Sequence, residues 1–137
     1  MSRHGYSDDE SDDPLQFGRW RGRVASAIRG KRGQAFLRDL IAALDAMPVK
    51  ELIANELVTE DGACCAIGAV CLARGIDTSK IDYECPEEVG AAVGIASDMA
   101  AEIEYENDEW RSETDEHRWQ RMRRWAERHL KTEGTAP

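Results

Sequence analysis

The sequence predicts an all-α fold, namely a compact single-domain bundle of five or six helices with at most a minor β-hairpin. Apolar residues recur at helical spacing in several successive stretches, and glycines or prolines separate these stretches. One short stretch around Asp61-Gly62 has the turn pair that hairpins favour. The chain has 137 residues, of which 42% are hydrophobic, so one domain can bury a core without disulfides or metals.

Composition divides the chain into three parts. Residues 1–14 are rich in Ser and Asp and end at a proline, so they are expected to form a disordered acidic tail. The helical domain is expected over 15–131, and a flexible C-terminus over 132–137. No apolar run approaches the ~20 residues that a membrane span needs, and no membrane partner or signal peptide is expected.

The helices of the N-terminal half follow from apolar stripes and from the residues that interrupt them. A first stripe predicts a helix that Gly30 and Gly33 end. A stronger stripe predicts a second helix over 34–46, which Pro48 ends because the residue before a proline avoids the helical region. Pro48 also suits the first turn of a short helix, predicted over 49–56.

The helices of the C-terminal half have clearer end signals. A helix is predicted over 63–74, with Gly75 as its left-handed cap. Pro86 is expected to begin one long helix whose buried side continues to Ile103. Thr114 is expected to cap the last helix.

The cysteines do not have the spacing of a metal or redox site. They are Cys64, Cys65, Cys71 and Cys85. No C-x-x-C pair occurs, and two adjacent cysteines on a helix point about 100° apart. No metal, cofactor or catalytic residue is therefore predicted, and the thiols are expected to be reduced. Cys64, Gly68 and Cys71 are expected to form a narrow helix face that packs against Gly90 and Gly94.

Acidic residues are concentrated late in the chain, where residues 98–116 carry nine acids and one base. Four of these carboxylates recur at i, i+4, i+8 and i+11 and so share one helix face. With one neighbour they form the predicted partner-binding surface, called here the acidic face. It consists of Asp98, Glu102, Glu106, Asp108 and Glu109.

Three interpretations of the acidic face remain open. In the first, it is a solvated surface that the basic blocks of the same domain neutralise. In the second, it presents carboxylates to a basic partner. In the third, Glu102, Glu106 and Asp108 bind magnesium in a nucleotide-processing enzyme. The EExxE pattern of all-α pyrophosphatases is incomplete here, because Glu87-Glu88 lacks the third glutamate.

Basic residues form two blocks. Residues 17–38 carry seven bases and no acid, and six of them are candidate nucleic-acid contacts, called here the N-terminal basic block. They are Arg19, Arg21, Arg23, Arg29, Lys31 and Arg32. The second block lies in the last helix with Trp119 and Trp125, where internal pairing is the competing explanation. The formal net charge of −9 argues against a general nucleic-acid binder.

Three stretches carry a family resemblance. They read "GKRGQAFLRDLIAALDAMP", "DGACCAIGAVCLARGID" and "ETDEHRWQRMRRW". Together they resemble small phage- and prophage-encoded proteins of no assigned activity, over most of residues 17–130. The resemblance implies an accessory protein in the cytoplasm of a host bacterium, of a kind that includes inhibitors of host defence. It implies no functional residue.

The leading hypothesis is a non-enzymatic accessory protein that binds a host protein with a basic surface through the acidic face. Such binding would inhibit a nucleic-acid-processing or defence system. The alternative is a small nucleic-acid-binding or regulatory protein that uses the N-terminal basic block, and the weaker alternative is the magnesium-dependent enzyme. The sequence leaves open the partner's identity, the oligomeric state, the reactivity of the thiols and whether the basic blocks meet in space.

Overall fold

A computed structural model describes residues 3–4, 14–109 and 112–131. They form helices α1 (Pro14–Arg29), α2 (Lys31–Ala46), α3 (Ala66–Arg74), α4 (Pro86–Val93), α5 (Ser97–Asp108) and α6 (Asp115–His129), with a 3₁₀ turn at Thr78–Lys80. Within these ranges no strand forms, and Val58 and Cys64 make an isolated antiparallel bridge. The predicted all-α bundle is thus confirmed. Most of the predicted tail and all of 132–137 lie outside the described residues.

The core lies around α2, which contacts α1, α3 and α6, and around α5, which contacts α1, α3 and α4. The apolar stripe of α2 faces inward because its members recur at helical spacing. The largest fully buried apolar side chains come from almost every element. They are Phe36, Leu37, Leu40, Leu44, Leu52, Ile67, Val70, Val89, Met99, Ile103 and Met122.

The corner between α1 and α2 differs from its prediction. Gly30 alone separates the two helices, and Gly33 lies inside the first turn of α2. A Cβ atom at Gly33 would overlap the carbonyl oxygens of Ala27 and Ile28. Gly33 therefore permits the close approach of α2 to the end of α1, which is why it does not act as a helix end.

The predicted helix over 49–56 is wrong, because this segment is irregular. Leu52 and Leu57 are buried in this segment although neither lies in a helix. Lys50 donates hydrogen bonds to the Asp45 and Met47 carbonyl oxygens (both 2.6 Å) and so satisfies the end of α2. The predicted turn does form, since the Thr59 amide donates to the Ala63 carbonyl oxygen (2.8 Å).

Helix α3 begins at Ala66, three residues later than predicted, because Cys65 is its N-cap and its Sγ accepts a hydrogen bond from the Gly68 amide (3.4 Å). Gly75 has φ +71° and caps the helix as predicted. The close backbone approaches at the glycines differ from the expected ones, because a Cβ atom at Gly90 would lie 2.7 Å from the Ile95 carbonyl oxygen and one at Gly94 would meet nothing within 4 Å. A Cβ atom at Gly68 would instead overlap the Leu57 carbonyl oxygen, so α3 packs against the backbone of the irregular segment.

The predicted long helix from Pro86 is two helices. Gly94 has φ +77° and ends α4, and the Ile95 amide donates to the Gly90 carbonyl oxygen (2.9 Å). The chain then turns and continues as α5. The last helix begins as predicted, because Thr114 Oγ1 accepts a hydrogen bond from the His117 amide (3.1 Å).

Substitution of Gly68 tests the packing of α3. Gly68→Ala places a methyl group on the Leu57 carbonyl oxygen, a backbone atom that cannot rotate away. We expect the free energy of unfolding, measured by urea denaturation, to fall by about 1–3 kcal/mol. Gly22→Ala is the matched control, because open space surrounds Gly22 in α1 and alanine should raise stability by about 0.5–1 kcal/mol. Equal stability of Gly68→Ala and the wild type would contradict this packing.

Candidate functional site

The acidic face lies along α5, with Glu109 as the C-cap residue. Asp98, Glu102 and Glu106 are partly exposed and Glu109 is exposed, so these four share the outer side of α5 as their spacing predicts. Asp108 differs from the others, because its side chain is only 3% exposed. The helix therefore presents four carboxylates outward and turns the fifth into the protein.

Cationic side chains of the same chain contact this face along its length. Arg23 of α1 donates to Asp98 at 3.1 Å. Arg121 of α6 lies 3.8 Å from Glu106. These pairs are partly exposed, and such pairs typically contribute about 0–1 kcal/mol. Much of the charge on the acidic face is thus balanced internally, as the first interpretation of this face requires.

Arg3 fills a pocket at the end of α5. Its Nε and Nη2 atoms donate to the two carboxylate oxygens of Asp108 at 2.6 and 2.9 Å. Its Nε atom also lies 3.3 Å from Glu104, and both Arg3 and Glu104 are buried. Two neighbouring carboxylates, one helical turn apart, therefore hold one guanidinium group away from solvent.

Glu104 is the most unusual group of this pocket. Its side chain is 0% exposed, and neither of its oxygens accepts a hydrogen bond from a described residue. Burial, together with the neighbouring Asp108 charge, raises the pKa of Glu104 to about 8, although Arg3 acts in the opposite direction. Glu104 is thus largely protonated at neutral pH, while Asp108 makes the direct ion pair with Arg3.

His4 extends the same contact onto the surface. Its Nε2 atom lies 2.5 Å from Glu109 Oε1, and its ring meets the Tyr105 ring edge-on at 5.1 Å between centroids. His4 is buried, whereas Tyr105 and Glu109 are each 38% exposed. Residues 3 and 4 therefore cover the end of the acidic face with one arginine and one imidazole.

Asn107 fixes the walls of this pocket. Its Oδ1 atom accepts from the Ala66 amide (3.1 Å), and its Nδ2 donates to the Ile53 carbonyl oxygen (3.0 Å) and to Asp108 (2.8 Å). Asp108 also accepts from the Asn55 amide at 3.1 Å. The start of α3, the irregular segment and the end of α5 are thereby joined at one side chain.

The thiols lie behind the pocket and in the core. Cys64, Cys65 and Cys71 are buried and Cys85 is half-buried, and all four are free. Burial, reinforced by neighbouring thiols, raises the pKa of Cys64 to about 12 and that of Cys71 to about 11. These two thiols are therefore protonated and unreactive at neutral pH.

The described ranges contain no group of three His, Cys, Asp or Glu side chains that could hold a metal ion. In particular, Glu102, Glu106 and Asp108 do not form the magnesium cluster of the weaker alternative. Asp108 faces Arg3 and the Asn55 amide, while Glu106 faces Arg121. The geometry gives that hypothesis no support.

The arginines of α6 are largely internal. Arg121 binds both oxygens of Glu113 (2.7 and 2.9 Å), and this contact holds the pKa of Glu113 below its usual value although burial opposes it. Arg123 binds both oxygens of Asp45 (2.6 and 2.9 Å). Arg118 is buried and donates to two backbone carbonyl oxygens. Internal pairing, the competing explanation for the second basic block, therefore accounts for these three arginines.

The cations of the N-terminal basic block, unlike the arginines of α6, are exposed and mostly unpaired among the described residues. All six of its residues are exposed, and only Arg23 forms an ion pair with another described residue. Arg21 instead lies over the Phe17 ring, 5.4 Å from its centroid. Arg19, Gly22 and Arg23 line a shallow, open depression that Asp98 borders. The block therefore presents cations to solvent.

The two basic blocks meet at Gln34 in the first turn of α2. Its Nε2 atom donates to the carbonyl oxygens of Ile28 (2.8 Å) and His129 (3.1 Å), and its Oε1 accepts from the Lys131 amide (2.8 Å). The end of α6 thus lies against the corner between α1 and α2. The exposed cations of these three helix ends are called here the cationic corner. They are Arg29, Lys31, Arg32, Arg128 and Lys131.

Sequence reasoning missed the residues that build the buried pocket. Arg3 and His4 lie within the predicted tail, and nothing in their local sequence signals a contact with α5. Glu104 and Asn107 carried a usable signal, because they fall in phase with the buried Ala100 and Ile103. A carboxylate on the apolar side of a helix needs a partner, which is a sequence-level indication of such a site.

Comparison of the chain with protein-family models, with curated proteins and with solved structures found no match. None of the helices in the described ranges has both the length and the apolar character that a membrane crossing requires. The resemblance to phage-encoded proteins therefore stays a prediction.

Replacing Glu104 tests the buried carboxyl group through pH. A carboxyl pKa raised from 4.5 to about 8 means that the folded state holds a proton that the unfolded state has lost. The free energy of unfolding of the wild type should therefore fall, relative to that of Glu104→Gln, as pH rises from 4.5 to about 8. Above about pH 8 the difference between the two proteins should stay constant. Since one pKa unit is worth about 1.4 kcal/mol, the change should reach a few kcal/mol.

Urea unfolding across this pH range measures the difference directly. Glu60→Gln is the control for loss of a carboxylate, because Glu60 is exposed in the turn before α3. A difference between wild type and Glu104→Gln that stays constant with pH would show that Glu104 is not the titrating group.

Proposed function

We propose that this protein is a non-enzymatic binding protein that contacts the phosphate backbone of nucleic acid through the cationic corner and the outer side of α1. The observation that carries the proposal is the unbalanced charge at the start of α2. Lys31 and Arg32 are the first two residues of that helix, both are exposed, and neither forms an ion pair with another described residue. Exposed cations without partners are what phosphate binding uses.

The position of these cations is electrostatically unfavourable in the free protein. The N-terminal end of a helix carries a partial positive charge, and acids are preferred there. Helix α2 has no acid in its first turn and no side-chain cap. A phosphate at this end would be favoured by both the amides and the two side chains.

The outer side of α1 fits the same ligand. Gly18 and Gly22 have open space where a Cβ atom would lie. Each helical glycine costs about 0.5–1 kcal/mol relative to alanine, and neither is explained by packing within the described residues. With Arg19 and Arg23 beside Gly22, a phosphate backbone can approach the helix closely, where it competes with Asp98 for Arg23.

Salt-dependent binding tests this proposal. Labelled DNA and RNA, single- and double-stranded, are titrated with the full chain in fluorescence anisotropy at several salt concentrations. We expect affinity to fall steeply with salt, and Lys31→Ala to reduce the slope of log K against log salt by about 1. The triple variant Arg29→Ala/Lys31→Ala/Arg32→Ala should reduce it further.

Lys80→Ala is the matched control, because Lys80 is exposed on the 3₁₀ turn, away from the helices that form the corner. It removes one lysine charge and should leave the slope unchanged. Absence of any salt-sensitive binding, or equal effects of Lys31→Ala and Lys80→Ala, would reject the proposed surface.

A second candidate function is binding of a host protein with a basic surface through the acidic face, in the inhibitory role that the phage resemblance implies. The supporting observation is that α5 already binds cationic side chains from other parts of the chain, namely Arg3 and Arg23. A basic partner would offer the same groups. The candidate ranks second because those internal contacts already balance much of the charge.

Capture from host lysate tests the second candidate. The double reversal Glu102→Lys/Glu106→Lys should abolish capture of a basic partner that the wild type retains. Glu51→Lys/Glu56→Lys makes the same charge change at exposed positions of the irregular segment and should retain the partner. Capture of that partner by both double variants would reject the acidic face as the binding surface.

A further inference from the structure

The pocket at the end of α5 is built for a guanidinium group. Asp108 offers both carboxylate oxygens to Arg3 in a bidentate arrangement, which is the strong and specific geometry for this pair. The side chains of Arg3, Glu104 and Asp108 are 2%, 0% and 3% exposed. Arginines are almost never buried so completely unless they are paired, so this contact is a buried ion pair and not a surface one.

Arg3 leaves some polar atoms of this pocket without a hydrogen-bond partner in the described part of the chain. Both oxygens of Glu104 and the Nη1 atom of Arg3 have no hydrogen-bond partner among the described residues, although all three atoms are buried. A buried polar atom without a partner is unfavourable relative to a satisfied one. An arginine placed so that it also bonds to Glu104 would fit better, which makes Arg3 a displaceable occupant.

The walls of the pocket do not depend on Arg3. Asp108 also accepts from the Asn55 amide and from Asn107, and Asn107 is held by Ala66 and Ile53. All of these partners belong to the helical domain. A site that keeps its shape without its occupant binds a replacement at little conformational cost.

The surface next to the pocket can accept a second residue. His4 there contacts Glu109 at 2.5 Å and meets the Tyr105 ring. A carboxylate beside an aromatic ring favours a cationic or aromatic side chain. The site therefore fits a short arginine-containing peptide segment, and not only a single side chain.

We propose that the Glu104–Asp108 pocket is a binding site for an arginine of a partner polypeptide, and that Arg3 occupies it in the free protein. The proposal deepens the second candidate function, since it names the side chain that a basic partner would insert. Arg3 belongs to the same chain, so it competes at high effective concentration and lowers the apparent affinity for the partner. Removing Arg3 opens the site.

A peptide titration of the full chain tests the pocket without any host protein or nucleic acid. The probe is the acetylated and amidated tetrapeptide Ser-Arg-His-Gly, and isothermal calorimetry measures its affinity. We expect Arg3→Ala to bind it at least about tenfold more tightly than the wild type, because the internal competitor is gone. The control peptide carries citrulline, which is neutral and of similar shape, and should bind at least about tenfold more weakly.

Two further variants keep the test informative. Asp108→Asn combined with Arg3→Ala should lose the preference for arginine over citrulline. Arg3→Ala/Glu104→Gln removes the uncompensated buried acid, and it serves as the receptor if circular dichroism shows that Arg3→Ala alone is unfolded. On the wild type, added peptide should also shift the ¹⁵N NMR signal of the Arg3 Nε–H group.

Equal binding of the arginine and citrulline peptides, or equal affinities of the wild type and Arg3→Ala, would overturn the proposal. A concentration-dependent dimer of the wild type that Arg3→Ala abolishes would also overturn it, because a second copy would then be the occupant. Peptide binding without lysate capture would reject the second candidate function and leave the pocket intact. Lysate capture without arginine-specific peptide binding would reject the pocket as an arginine site and leave the second candidate function intact.

Discussion

The irregular segment 47–65 bonds partly within itself, as between Ile53 and Cys64, and two side chains from α5 and α6 satisfy further backbone groups at its edges. Asn107 binds the Ile53 carbonyl oxygen and the Ala66 amide, and Arg118 binds the Leu52 carbonyl oxygen and the Asn107 carbonyl oxygen. Buried backbone groups without partners would cost more than the apolar burial of this segment could offset. The start of α3, the pairing of α5 with α6 and the position of the α5 pocket all follow from these bonds.

The fold divides the charged side chains of the described residues into those that pair inside the domain and those that remain unpaired at its surface, a division that the sequence alone does not show. Acids of α5 pair inside the domain, as Asp108 does with Arg3, and arginines of α6 pair with acids elsewhere, as Arg123 does with Asp45. Three exposed cations without such partners among the described residues, Arg29, Lys31 and Arg32, lie together at the corner of α1 and α2. A chain with a formal net charge of −9 can therefore present a local positive surface, which its total charge conceals.

Features that depend on local chemistry were predictable from the sequence. The caps at Gly75 and Thr114 form because each depends on one residue and its immediate neighbours. The helix over 49–56 was predicted wrongly because long-range burial of Leu52 overrides a weak local preference. The contact of Arg3 with Asp108 joins residues 105 positions apart, and no local pattern can signal it.

Gln34 joins the start of α2 to the ends of α1 and α6, since it bonds to Ile28 in the last turn of α1, to His129 at the end of α6 and to Lys131 just beyond it. The positive surface there consequently exists only in the folded protein, because no single segment contains all of its residues. An isolated α1 peptide would retain only Arg29 of the cationic corner, and its remaining arginines would behave as a generic polycation. Whatever selectivity the surface has resides in the way the first and last helices of the domain are fastened together.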